Sequence, residues 1–187
     1  MKTINNALCL LRMDRQRTNY TRWRYLYDPV MTQLLCFRLA DCNNRVIRNI
    51  ARIGLAFWSY VTGVQLTGGT QIGGGIKIVH HGNIVITGRS VIGENLTIHQ
   101  CVTIGKSFGG SKYGSPQIGK NVIIYPNSVV VGNISIGNNV VIGAGSVVVS
   151  SVPDNCVVAG NPAKIITSDS KRVILEKELK LYYHLDW

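Results

Sequence analysis

The chain predicts a mainly β fold, a parallel β-helix preceded by a small α-helical region and followed by a short C-terminal helix. Three observations carry this. Between Ile118 and Val148 an aliphatic residue recurs every six positions: Ile118, Ile124, Val130, Ile136, Ile142 and Val148. Four positions after each stands a small or β-branched partner: Val122, Ser128, Ile134, Val140, Ser146 and Val152. Residues 1 to about 62, by contrast, hold almost no glycine and space their apolar residues at helical intervals. Neither an α-helix nor an alternating strand wants a period of six. A chain that turns a corner every six residues does, with one aliphatic side chain pointing inward per face and three faces closing a triangular coil. One coil cannot bury its apolar face alone, so stacking makes the core continuous.

In the lead-in, Leu34, Leu35, Phe37, Leu39, Val46, Ile47, Ile50, Ile53, Leu55 and Phe57 predict two or three helices. Pro29 starts one, and Gly54 or Gly63 lies near an end. Backwards from Ile118 the repeat continues through Ile104, Ile98, Ile92 and Ile86. The step from Ile78 to Ile86 is eight, so two extra residues bulge from the coil within Val79-His80-His81-Gly82-Asn83. The step from Ile104 to Ile118 is fourteen, two more than two repeats, and the glycine- and serine-rich stretch between them reads as an extruded flexible loop at about 106–117. A regular solenoid places its departures where function needs them. Near Pro153 and Pro162 strand pairing is expected to stop. Ser168 to Trp187 reads as a charged helix capped by Ser168 or Ser170 and covering the open end of the coil. The resulting division is a helical region at 1–62, the β-helix at 63–166 and a helical tail at 167–187.

No apolar run approaches the roughly 20 residues of a membrane span, and the start is too short and polar-broken for a signal peptide, so a cytoplasmic protein is expected. The five cysteines are scattered and lack a C-x-x-C pair, which favours reduced structural thiols over zinc or disulfides. Of the net charge of +11, residues 1–60 contribute ten Lys and Arg less three Asp, or +7. Arg12, Arg15, Arg17, Arg22 and Arg24 are interleaved with Tyr20, Trp23, Tyr25 and Tyr27. This patch is either a solvated surface or a peripheral contact with an anionic glycan or the inner membrane. No nucleic-acid motif accompanies it.

His80 and His81 stand together in the widened turn, whereas His99 occupies a non-inward repeat position and His184 the tail. With only Glu94 nearby as a repeat carboxylate, the pair does not suggest a metal site. An imidazole, with an ordinary pKa near about 6.5, suits a general base acting on a hydroxyl.

The hexapeptide coils, the bulge histidine, the inserted loop and the ending Val158-Ala-Gly-Asn-Pro-Ala-Lys164 resemble the left-handed β-helix acyltransferases, in their serine acetyltransferase branch. Ile78-Val-His-His-Gly-Asn-Ile-Val-Ile86 with Val102-Thr-Ile-Gly105 is most similar to polysaccharide O-acetyltransferases of the colanic-acid type. The resemblance implies a homotrimer, acetyl-CoA in the groove between coils, no metal, and direct transfer with His80 or else His81 as base. It implies CoA contacts at Gly143, Ala144, Ala159, Gly160 and Lys164, the last reaching a phosphate. Asn83, Gln100, Tyr113 and Ser115 are the candidates for binding the acceptor. Two positions depart from the serine-specific pattern: Val79 stands where an Asp precedes the histidine, and Gly114-Ser115 where the loop ends in Arg-His. The expectation is therefore a carbohydrate O-acetyltransferase of capsule, exopolysaccharide or O-antigen synthesis. The alternatives are serine O-acetyltransferase and a non-catalytic solenoid for assembly or binding.

Overall fold

The computed structural model describes residues 3–18, 27–67 and 69–170. Among the described residues three helices lead in: α1 (Ile4–Thr18), α2 (Pro29–Leu39) and α3 (Arg45–Thr62). Pro29 opens α2 behind Asp28, whose carboxylate accepts from the Val30 and Met31 N–H groups. Asn44 caps α3 in the same way. Gly63 ends it at φ 68°, where a Cβ would press on the Asn83 nitrogen at 3.0 Å. Gly54 lies inside α3, against Cys36.

The rest is the solenoid. One face stacks β1 (Val64–Leu66), β4 (Ile84–Ile86), β7 (Thr103–Gly105), β10 (Val129–Val131) and β13 (Val147–Val148). The second stacks β2 (Gln71–Ile72), β5 (Val91–Ile92), β8 (Gln117–Ile118) and β11 (Ser135–Ile136). The third stacks β3 (Lys77–Ile78), β6 (Thr97–Ile98), β9 (Ile123–Ile124), β12 (Val141–Ile142) and β14 (Val157–Gly160), with β15 (Ala163–Thr167) returning antiparallel. The inward residues pair in register, Ile78 with Ile98 and Ile98 with Ile124 on the third face, Ile86 with Ile104 and Ile104 with Val130 on the first. All are buried in one continuous core, each worth roughly 1.5–3 kcal/mol in transfer free energy. One corner is closed by left-handed asparagines: Asn95, Asn121, Asn139 and Asn155 all have φ between 55° and 62°. Each of the first three donates its amide N–H to the next, at 2.9–3.0 Å. Asparagine tolerates this backbone better than most residues.

The lead-in docks on the first coil through a buried clasp. Arg38 on α2 makes two 2.9 Å bonds to the Asp14 carboxylate on α1, and both side chains are fully buried. Asp14 also accepts from the Gly75 and Ile76 N–H groups at 2.8 and 3.0 Å, while Arg38 donates to the Ile72 and Gly73 carbonyls. Arg17 donates to the Gly75 carbonyl at 2.9 Å and to Thr97 at 3.2 Å. Arg17 is thus part of the docking and not of a solvated patch. Tyr20, Arg22, Trp23, Arg24 and Tyr25 lie outside the described residues.

Two expectations about the chain's course are corrected. Strand pairing does not stop at the prolines. Pro153, which has no N–H, falls at a corner between strands where the ladder needs no donor, and Pro162 falls in the turn between β14 and β15. Nor does the loop hang free. Ser107 and Gly114 exchange backbone bonds, Asn133 donates to the Lys112 carbonyl, and the Lys112 ammonium bonds Val149 and Ser150 two coils on. The expected tail helix falls largely on residues 171–187, outside the described residues. Ser170 itself is buried, bonded to the Asn139 and Asn155 carbonyls.

Candidate active site

The widened turn follows β3. Because Ile78 pairs with Ile98, six residues of the next coil run alongside eight here, and the surplus pushes His80 and His81 outward, both exposed. The Gly82 carbonyl still accepts from the Cys101 N–H at 3.0 Å, which ties the bulge to the coil below. Asn83 leaves the turn at φ 51°.

A row of residues runs along this corner, one position after each inward residue of the third face. Backbone bonds fix it: Val79 N–H to the Ile98 carbonyl, His99 to Ile124, Tyr125 to Ile142 and Gly143 to Val158, at 2.8–3.1 Å. The row therefore reads Val79, His99, Tyr125, Gly143, Ala159, and four rungs of about 4.8 Å span about 19 Å. Its upper part is aromatic. The His80 ring lies 6.4 Å from His99 at 55°, and His99 stacks on Tyr125 at 5.1 Å and 20°. Its lower part is bare, because a Cβ on Gly143 would sit 3.0 Å from the Ala159 Cβ. Ala159 pairs with Lys164 and Gly160 with Ala163 across the final hairpin. Gly143, Ala159, Gly160 and Lys164 thus adjoin one another, and exposed Ala144 follows Gly143. Small residues above an exposed lysine make a groove that an extended chain ending in phosphates can enter.

Three buried side-chain polar atoms among the described residues have no hydrogen-bond partner: Ser90 Oγ, His99 Nε2 and Gln100 Oε1. Two of the three lie in this corner, where buried polar atoms without partners call for an explanation. Burial pushes the His99 pKa below 6.5, with further lowering by the charges of His80 and Lys77. A neutral His99 follows at physiological pH, and it places no proton charge against His80.

Of the candidates for the acceptor, Asn83 and Gln100 share the His80 corner. Tyr113 and Ser115 do not, since β7 carries the chain from that corner to the loop at the other end of the face. Ser115 donates to the Gly88 carbonyl at 3.2 Å. The Tyr113 hydroxyl accepts from Lys106 at 2.8 Å, and that ammonium lies 4.2 Å from the Tyr113 ring and 5.2 Å from that of Phe108. The bonded Lys106, with Arg89 contributing, lowers the Tyr113 phenol from its usual value. The sequence reading passed over His99 and Tyr125; the available signal was that each directly follows an inward isoleucine of the same face. No group of three or more metal-ligating side chains occurs among the described residues. A cleft of about 480 Å³ lies elsewhere, between α2, α3 and the first coil, lined by Phe37, Asp41, Arg52, Leu55 and Leu66.

Comparison with known proteins bears on the whole of this arrangement. Residues 115–150 match the bacterial transferase hexapeptide (six repeats) family. A serine acetyltransferase of Helicobacter pylori is 35% identical over 152 residues, covering 79% of this chain and 88% of the relative. One from Staphylococcus xylosus is 40% identical over 126 residues, covering 66% of this chain; the chain spans only 57% of that longer relative. The crystal structure of a Brucella abortus serine acetyltransferase in complex with coenzyme A superposes with a TM-score of 0.74 at 27% identity, covering 89% of this chain and 70% of that one. The solenoid is accordingly a left-handed parallel β-helix of the acyltransferase type. The expected carbohydrate acceptor and the colanic-acid subtype are overturned, since these relatives are serine acetyltransferases.

Proposed function

The chain belongs to the hexapeptide-repeat transferase family alongside the serine acetyltransferases, and we propose that it transfers the acetyl group of acetyl-CoA to the hydroxyl of L-serine. The observation that carries this reading is the corner row: His80 stands exposed at the head of a file that ends in the bare Gly143–Ala159 groove beside Lys164. A thioester laid along the groove with its phosphates toward Lys164 brings its carbonyl toward the imidazole. His80 takes the proton of the serine hydroxyl while that oxygen forms a bond to the thioester carbon. The tetrahedral oxyanion collapses, the carbon–sulfur bond breaks, and the leaving thiolate takes the proton back from the imidazolium. The products are O-acetylserine and free CoA. A neutral His99 next to His80 supports the base role, because a second imidazolium there would oppose charging of the first.

Val79 and Gly114-Ser115 leave two positions of the serine-specific pattern without their charged groups. Absence at two positions does not empty a site of charge. In the His80 corner itself the unpartnered Gln100 oxygen suits the ammonium of serine. The reading includes a homotrimer, as is typical of such transferases. The test is CoA release from acetyl-CoA with L-serine, with D-serine and with no acceptor, and O-acetylserine identified by mass. Release that depends on L-serine supports the reading, and release indifferent to it overturns the reading.

A further inference from the structure

Helix α3 carries an apolar face that nothing among the described residues covers. Ala51 and Thr62 are buried on the side turned to α2. On another side Val46, Ile50, Ile53, Phe57, Tyr60 and Val61 are all exposed, Ile53 at 73% and Tyr60 at 92%. At 100° per residue these six fall within an arc of about 100°. Their spacing repeats every three or four positions along the whole helix, so the stripe is continuous and not a scatter of single side chains. Arg45, Asn49 and Arg52 form the neighbouring exposed strip. Residues 45–62 include Arg45, Arg48 and Arg52 and no acidic residue. The one carboxylate on hand is Asp41, 3.7 Å from Arg52.

We propose that this face of α3 docks on an anionic lipid bilayer, lying in the plane of the interface with its apolar stripe among the acyl chains and the flanking Arg45 and Arg52 at the headgroups. Charge decides between the occupants. A second copy set face to face would bring Arg45 and Arg52 of each helix to the rim of the contact, where neither helix has a carboxylate and only Asp41, beside Arg52, is at hand. An anionic headgroup layer receives them directly, and isoleucine, phenylalanine and tyrosine are the side chains such an interface takes up. The net charge of +11 adds attraction at longer range. No described helix is long and apolar enough to cross a membrane, so the contact is surface docking and not insertion. Docking of this kind is indifferent to which hydroxyl the enzyme acetylates.

The full-length protein is sedimented with vesicles of phosphatidylcholine alone and of phosphatidylcholine with phosphatidylglycerol. Capture by the anionic vesicles, weaker at about 0.5 M than at about 0.1 M salt, is expected. The triple variant Ile50→Gln, Ile53→Gln, Phe57→Gln should bind at least about tenfold more weakly, and Arg45→Gln about fivefold more weakly. Both should keep the wild-type melting temperature and thioester-release activity, since neither change touches the corner row. Wild-type protein left in the supernatant by anionic vesicles overturns the proposal, as does a triple variant that binds like wild type. Analytical ultracentrifugation closes the remaining route: a smaller assembly in the triple variant would make the stripe a contact between copies, and the proposal falls.

Discussion

The clasp at Asp14 and the corner at His80 are both polar features set on the same aliphatic coil, and they are built in opposite ways. At the clasp both partners are engaged on all sides: Asp14 accepts from two Arg38 nitrogens and two backbone N–H groups, and Arg38 donates two further bonds to carbonyls. At the corner His99 Nε2 and Gln100 Oε1 are buried without partners, and His80 is exposed with its ring 6.4 Å from that of His99. A saturated network holds parts together and has nothing left to offer a ligand. An unsaturated one costs stability and keeps donors and acceptors for a substrate. The difference separates the residues that hold the lead-in on the coil from those proposed to do chemistry.

If that separation is right, substitutions at the two places should fail in different assays. His80→Ala should lower turnover by about two to four orders of magnitude, the range for loss of a general base, with CoA affinity and melting temperature unchanged. A dead His81→Ala beside an active His80→Ala would move the base by one residue. Asp14→Ala should do the reverse. It leaves a fully buried guanidinium unpaired, and denaturant unfolding should show a loss of about 3–5 kcal/mol, with normal kcat in the protein that remains folded. A catalytic defect there without a stability defect would break the comparison.

Gln100→Ala is the finer probe. If its oxygen serves the acceptor, KM for L-serine should rise by roughly twofold to tenfold, the worth of one hydrogen bond, while stability holds or improves because a buried orphan is gone. The smallest effect concerns pH. The folded-state pKa of His99 is below 6.5, so the unfolded chain takes up this proton first as pH falls. Stability attributable to His99 is present above about 6.5 and declines as the pH drops from there toward the folded-state value. His99→Phe should flatten that part of the stability–pH curve, measured by urea unfolding at a series of pH values.

The faces of the molecule were legible in sequence and the corners only partly so. Ile98, Ile124 and Ile142 announce themselves because burial admits little else at an inward position, and every coil repeats the demand. The bulge was legible as a missed beat in that rhythm. His99 and Tyr125 were not, because an outward position places no such demand and their meaning comes from the ring on the next rung. The Asp14–Arg38 pair spans 24 residues and ends on backbone groups of Gly75 and Ile76. No local pattern encodes such a meeting, and the arginines of the lead-in read as a surface patch. The prolines misled for a related reason. A rule about ladder N–H groups does not apply to a residue in a turn, and only the register says which residues are in turns.

The asparagine corner has a further consequence for how the molecule comes apart. Each amide is held by the one on the next coil, and the last, Asn155, has its carbonyl engaged by Ser170. Opening therefore starts most easily at an end, and each coil that detaches leaves its neighbour with a broken rung. Amide hydrogen exchange in such an array is graded along the axis, slowest around the central coils and fastest at the termini. Ser170 acts as the catch on one end of that gradient, and the Asp14 clasp as the catch on the other. The His80 turn lies close to the clasped end, so the segment that carries the proposed base is guarded by the network beside it.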